Sequence, residues 1–159
     1  MKLPMAFGLV LALSGPAYAQ VAVAPAEDQQ ALLASPDAKL AANKRLVYDF
    51  WREVLEAGHL DQVDKYVAEG YIQHNPNVPT GRAAFVAFFS KVVKTQPVQP
   101  RITGPLVSIV AEGDLVVLGF ASPRTDPHDA SRKYTTTWFD MFRIEGGKIA
   151  EHWDCAARQ

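Results

Sequence analysis

Hydrophobic positions along the chain fall first at helical spacing and then at strand spacing. Ser35-Pro36-Asp37 offers a cap and a first-turn proline, and Leu40, Val47, Phe50, Trp51, Val54 and Leu55 recur on one face until Gly58. That pattern predicts a long amphipathic helix. Asp61 caps a shorter helix carrying Val63, Tyr66 and Val67, closed by Gly70. A short extended stretch, Tyr71-Ile72-Gln73-His74-Asn75-Pro76, leads to a third helix that opens at Thr80-Gly81. Phe85, Phe88, Phe89 and Val92 form its apolar stripe, which ends before Pro97. Beyond Pro100 the period changes to two. Ile102 to Val110 and Leu115 to Ala121, separated by Glu112-Gly113, read as one hairpin, and a polar loop over residues 122–133 leads into a second. The second hairpin is YTTTWFDMFRIEGGKIAEHWD, residues 134–154, with Gly146-Gly147 as its two-residue turn. Helices followed by a run of antiparallel strands predict an α+β domain, a curved, mostly antiparallel sheet packed on three N-terminal helices.

One residue of the last hairpin is at odds with its neighbours. Alternation puts Tyr134, Thr136, Trp138, Asp140, Phe142 and Ile144 on one face, so a carboxylate stands between two large rings. With Glu145 and Lys148 flanking the turn, an unbroken register sets Ile144 opposite Ile149, Phe142 opposite Glu151, Asp140 opposite Trp153 and Trp138 opposite Cys155. One face then carries Trp138, Asp140, Phe142, Glu151 and Trp153. A carboxylate there is desolvated, which raises its pKa towards the working range of a general base. The bland alternative is an Asp140 that only satisfies a buried polar network. Glu151 reads as a second pocket acid or as a partner for Arg143 or Arg101. His152 falls on the opposite face, beside Met141, in a structural role or at a dimer face.

On the short strand, Ile72 and His74 share a face that is expected to point inward, opposite Tyr71, Gln73 and Asn75. A neutral His74 imidazole there donates a hydrogen bond to a carbonyl or shuttles a proton. Otherwise it is a buried histidine bracing the turn at Pro76, and Asn75 is a turn former.

Composition and charge narrow the class. The chain has 159 residues, 48% hydrophobic and 21% charged, which suits one domain with a real core. Residues 1–19 combine Lys2, an apolar run from Phe7 to Leu13 and the small-x-small Ala17-Tyr18-Ala19, the pattern of a cleavable secretory signal with cleavage after Ala19. The run is well short of the roughly 20 apolar residues of a membrane span. The expected compartment is therefore periplasmic or extracellular, with no membrane association after cleavage. Residues 20–35 read as a flexible lead-in to a domain over residues 36–157. Loss of Lys2 leaves 15 of the 16 basic residues against 17 acidic ones, a formal charge of −2, which favours neither nucleic acid nor an anionic membrane. Cys155 is the single cysteine, so no intrachain disulfide forms. The four histidines show no HxH, HxxxH or HExxH spacing, and no phosphate-binding glycine loop or nucleophile elbow is present. No metal or other cofactor is expected.

The element order, the Gln73-His74-Asn75-Pro76 segment and the DxFRxxxGKIxEHWD pattern from Asp140 to Asp154 resemble the SnoaL-like branch of the nuclear transport factor 2-like superfamily. The likeness spans roughly Leu40 to Asp154. It implies a cone-shaped α+β barrel, with a strongly bent sheet around a long helix and a pocket between them. The family includes polyketide cyclases that catalyse an intramolecular aldol condensation; the superfamily includes ketosteroid isomerases, dehydratases and members without demonstrated catalysis. Matching Asp140 to the catalytic Asp of the SnoaL-like pattern favours a functional carboxylate.

Two functions of different class follow. The first is a cofactor-independent lyase or isomerase in which Asp140 removes a proton next to a carbonyl while His74, an indole N–H or Tyr134 stabilises the enolate. Trp51, Asn75, Trp138, Phe142, Glu151 and Trp153 complete the expected substrate contacts. The second is a binding module that holds a small apolar molecule in the same pocket. Thr137, Phe139 and Met141 make the outer face of the last hairpin more apolar than a solvated face needs, and superfamily members commonly pair through their sheets, so a homodimer is expected.

Overall fold

A computed structural model describes residues 20–159. The secretory signal expected over residues 1–19 lies outside the described residues.

The first helix, α1 (Ala38–Phe50), starts just past the expected Ser35-Pro36-Asp37 signal, so Pro36 precedes the helix and does not occupy its first turn: the Asp37 carboxylate accepts the backbone N–H groups of Lys39 and Leu40, satisfying two of the orphan donors at its N-terminus. It does not run on as a regular helix to Gly58. From Trp51 to Glu56 it continues as a π-helical turn, which rotates the following side chains relative to the α-helical stripe. A 3-10 turn (Leu60–Gln62) leads into a one-turn helix α2 (Val63–Tyr66), and α3 spans Arg82–Phe89. The second helix was expected to reach Gly70, but the chain turns extended at the β-branched Val67. Val92, expected on the α3 stripe, lies beyond the helix and is exposed.

Five strands follow the predicted order: β1 (Val67–Gln73), β2 (Leu106–Glu112), β3 (Leu115–Thr125), β4 (Lys133–Glu145) and β5 (Lys148–Asp154). They form one curved, unclosed sheet in the order β1-β5-β4-β3-β2. Every neighbouring pair is antiparallel except β1 with β5, which is parallel. The class is therefore α+β, as expected, with the helices packed on the concave face. Phe50 marks the centre of the core, its ring about 6 Å from those of Tyr66, Phe85 and Phe142. Gly146 and Gly147 both adopt positive φ, 57° and 74°, as the tight turn between β4 and β5 requires.

Two departures reorganise the site. Ile144 pairs with Ile149 as expected, but Arg143 pairs with Glu151, so Ala150 is an extra, buried residue in β5. This bulge shifts the rest of the strand by one and exchanges its faces. Phe142 now opposes His152 and Asp140 opposes Asp154, while Glu151 and Trp153 turn to the convex side. On β1, Gln73 pairs with His152 and Ile72 with Glu151. Tyr71 is buried and Ile72 exposed, the reverse of the expected facing.

Residues 20–35, expected as a flexible lead-in, instead lie along the body of the domain. Gln29 is buried, donating to the Ile102 carbonyl and accepting from Tyr48 Oη and the Ile102 N–H. Leu33 enters the core. Ala26 N–H bonds to the Leu106 carbonyl, and Val23 N–H to Thr135 Oγ1. The apolar and amide side chains of this segment complete the packing that its lack of periodicity concealed.

Candidate active site

A cavity of about 240 Å³ opens between α1, α3 and the concave face of the sheet. Its apolar wall includes Phe50, Trp51, Leu55, Phe85, Phe89 and Phe142. Its polar wall is built from alternate residues of two adjacent strands: Tyr71 and Gln73, with Asn75 just beyond β1, and His152 and Asp154 of β5, beside Asp140 of β4. The parallel pairing of β1 with β5 aligns these two rows.

The polar groups form one connected chain. His152 Nε2 lies 3.0 Å from Asp140 Oδ1 and His152 Nδ1 lies 2.8 Å from Gln73 Oε1. The Asn75 backbone N–H also donates to that oxygen at 2.9 Å, and Gln73 Nε2 donates to Tyr71 Oη at 2.9 Å. A backbone N–H only donates, so the Gln73 oxygen is fixed as acceptor and His152 Nδ1 must carry a proton. Nε2 and the Asp140 carboxyl then share a single proton, as imidazolium with carboxylate or as imidazole with carboxylic acid.

Both members of this pair are buried, with 6% of the Asp140 side chain and 9% of the His152 side chain exposed. Burial pushes the Asp140 carboxyl above the usual carboxylate range; the His152 bond and charge pull it back, Asp154 adds to the rise, and the nearby Trp138 indole opposes it. The Trp138 indole lies near this carboxyl but makes no bond of hydrogen-bonding geometry to it, so among the described residues Asp140 Oδ2 is buried without a hydrogen-bond partner. Asp154 differs: its Oδ2 accepts from Asn75 Nδ2 at 2.6 Å and its Oδ1 from the Ala156 N–H at 2.9 Å. The Tyr71 hydroxyl is held protonated by burial first and by Asp154 and Asp140 next. Because it accepts from Gln73, its own proton remains to be donated.

Asp140, His152 and Asp154 also offer one ligand atom each within 4.8 Å of one another. This is the described residues' one group of His, Cys, Asp and Glu with metal-ligand proximity. Two of its donors come from the H-x-D alternation of Glu151-His152-Trp153-Asp154, a spacing outside the zinc motifs sought in the sequence.

The expected site residues are thus divided. Asp140, Phe142, Asn75 and Trp51 line the cavity. Trp138 is on the same sheet face but lines an adjoining cavity. His74 is on the convex side, where its ring stacks on Trp153 at 4.9 Å and 5° and its Nε2 lies 2.7 Å from Glu151 Oε1. Glu151 also accepts from Arg143 Nε at 2.8 Å, and these two partners hold its carboxyl below the usual range. Tyr134 is exposed towards the far end of β4 and lines a separate surface depression with Gln20. His74, Glu151, Trp153 and Tyr134 are therefore placed away from the cavity. Tyr71, Gln73, His152 and Asp154 take their place.

The family model of the SnoaL-like domain matches residues 47–152, from the end of α1 through β1 and β4 to His152 of β5, and so includes the Asp140–His152 pair. The chain belongs to the SnoaL-like domain family. The chain is similar in fold to a candidate polyketide cyclase from Acidithiobacillus ferrooxidans. That comparison has a TM-score of 0.52 at 20% identity and covers 77% of this chain and 90% of the other. A protein of unknown function with a cystatin-like fold from Xanthomonas campestris gives 0.51 at 19% identity, covering 74% and 92%. No curated protein matches the chain.

Proposed function

We infer that this SnoaL-like chain is a cofactor-independent lyase or isomerase that moves a proton next to a carbonyl, with Asp140 as base. One observation carries the reading: a buried Asp140 with one oxygen held by His152 and the other unengaged, on the wall of an apolar cavity. Both oxygens of Asp154 already accept protein N–H groups, which singles out Asp140.

In the imidazolium–carboxylate form, Asp140 Oδ2 accepts the proton from the carbon next to the carbonyl, and the C–H electron pair moves to form an enolate. The Tyr71 O–H donates to the developing oxyanion. His152 holds the carboxyl group in place, and Gln73 keeps the imidazole in the required proton arrangement. Return of the proton from Asp140 completes an isomerisation; attack of the enolate carbon on a second carbonyl of the same molecule, with the Asp140 proton passing to the new alkoxide, completes an aldol-type ring closure. The candidate polyketide cyclase among the structural neighbours and the family membership support this class of chemistry. The substrate is an uncharged carbonyl compound, since the cavity wall is mostly aromatic and aliphatic. We place the active protein outside the cytoplasm, on the signal-like residues 1–19, and as a homodimer through the convex face of the sheet.

The test is deuterium exchange at the α-carbon of phenylacetone in D2O, followed by NMR. Wild-type protein is expected to accelerate exchange, and Asp140→Asn to lower the rate by about 10²–10⁴-fold. Saturable binding of the ketone without accelerated exchange would reduce the chain to a binding module.

A further inference from the structure

Trp51, Leu55 and Asp140 line two cavities, not one. The second, about 370 Å³, lies between the π-helical turn, β3 and Trp138 of β4. Trp51 is the first residue of that turn, its ring stacks on Phe120 with centroids 4.6 Å apart, and it borders both spaces. Asp140 is at the seam.

The lining defines what the second space accepts. Trp51, Phe120 and Trp138 present aromatic surface, and Pro105 and Ala121 are apolar. Of its two carboxylates, Asp140 is the one at the seam and Glu56 is already engaged: Oε2 accepts from Thr103 N–H and Oγ1, and Oε1 from Gly104 N–H. No cation lines it. An anionic group entering there would lose hydration without gaining a partner, whereas a planar apolar group would lie against rings.

We propose that the second cavity is a subsite of the same site, and that the substrate carries planar apolar groups on both sides of its reacting carbon. One group occupies the space under Phe85 and Phe89, and the other lies against Phe120 and Trp138. Placing the reacting carbon at the seam rests on the reading of Asp140 as base; the two-sided shape rests on the cavities alone.

The experiment compares two ketones by titration calorimetry: phenylacetone, with one ring, and 1,3-diphenylacetone, with a ring on each side of the carbonyl. Wild-type protein is expected to bind the two-ring ketone about tenfold or more tightly, the gain expected from burying one further phenyl ring. Ser122→Trp fills the second cavity from β3 and should abolish that gain while leaving phenylacetone affinity unchanged. The indole N–H resonance of Trp138, assigned with Trp138→Phe, provides a measurement on the unaltered cavity. It should shift with the two-ring ketone and stay fixed with phenylacetone. Equal wild-type affinities, a gain that survives in folded Ser122→Trp, or an unmoved Trp138 resonance would each overturn the subsite. These readouts are of affinity and position, so they stand or fall independently of isotope exchange.

Discussion

Asp140 explains more of this protein at the residue scale than any other side chain, because its two oxygens live in different surroundings. Oδ1 is held by His152 and Oδ2 is buried without a partner. An oxygen of that kind is a standing cost to the fold, and it is also what a general base needs. The consequence for stability has a definite sign. Burial raises the folded-state pKa of Asp140 above its unfolded value, so the group's contribution is fully present below the unfolded pKa and is lost as pH rises through the folded one. Asp140→Asn removes that loss and still offers an N–H to a neutral His152 Nε2. The variant should therefore melt at an unchanged or higher temperature near neutral pH, with its advantage shrinking as the pH falls towards the ordinary carboxylate range. Calorimetric melting of both proteins across pH 3 to 8 measures this. A variant that melts clearly lower at neutral pH would show that the charged Asp140–His152 pair holds the fold together, and would remove the support for a catalytic Asp140.

At the scale of elements, the site is decided by one inserted residue. Helix caps, turn glycines and strand order were legible because they depend on local chemistry: the Asp37 cap, the Gly146-Gly147 turn, and the alternation that put Asp140 beside Phe142. Face assignments on β1 and β5 were not, because a period of two turns any single slip into a complete exchange of faces. Ala150 is apolar on either reading, so nothing in the alternation marks it as the bulge. The parallel partnership of β1 with β5 is a contact between residues some 80 positions apart in the chain, beyond any local pattern. Hence the cavity lining includes the expected Asp140, Asn75, Phe142 and Trp51, whereas His152, Tyr71 and Gln73 come from faces expected to point away from it, Asp154 carries no expectation, and His74 faces outward instead of inward. The two rows Tyr71-x-Gln73-x-Asn75 and His152-x-Asp154 carried the missing signal, since each is a polar alternation on one strand face. Deleting Ala150 tests the bulge directly. Without the extra residue Glu151 follows Ile149 and still opposes Arg143, and His152 still opposes Phe142, so the ladder becomes regular with the same partners and the same faces. The deletion should therefore retain the α-carbon exchange rate that depends on Asp140 and His152. Loss of exchange in a folded deletion variant would show that the bulge itself, and not only the register it sets, positions His152.

The whole molecule presents two surfaces of opposite character on the two sides of one sheet. The concave side holds the core, the cavities and the Asp140–His152 pair, and the segment from residue 20 to 35 closes one flank through Gln29 and Leu33. The convex side holds a charged and aromatic network, His74 on Trp153 and Glu151 between His74 and Arg143, next to apolar side chains that meet solvent. Phe139 is 47% exposed, Val110 59% and Ile72 41%, one each on β4, β2 and β1, so the apolar surface spreads across the sheet. A ring and two branched chains left in water at these positions are better explained by a covering surface than by folding of the single chain. Glu151, its charge balanced on both sides, and the His74–Trp153 stack are suited to the polar part of such an interface. A second copy meeting this face by two-fold symmetry would bring the same patch against itself. Light scattering on the purified protein should then give twice the chain mass. Phe139→Glu should give a single chain mass with its α-carbon exchange rate retained, since Phe139 points away from the cavity. Wild-type protein that remains a single chain at high concentration would leave the convex face without a second copy as its cover.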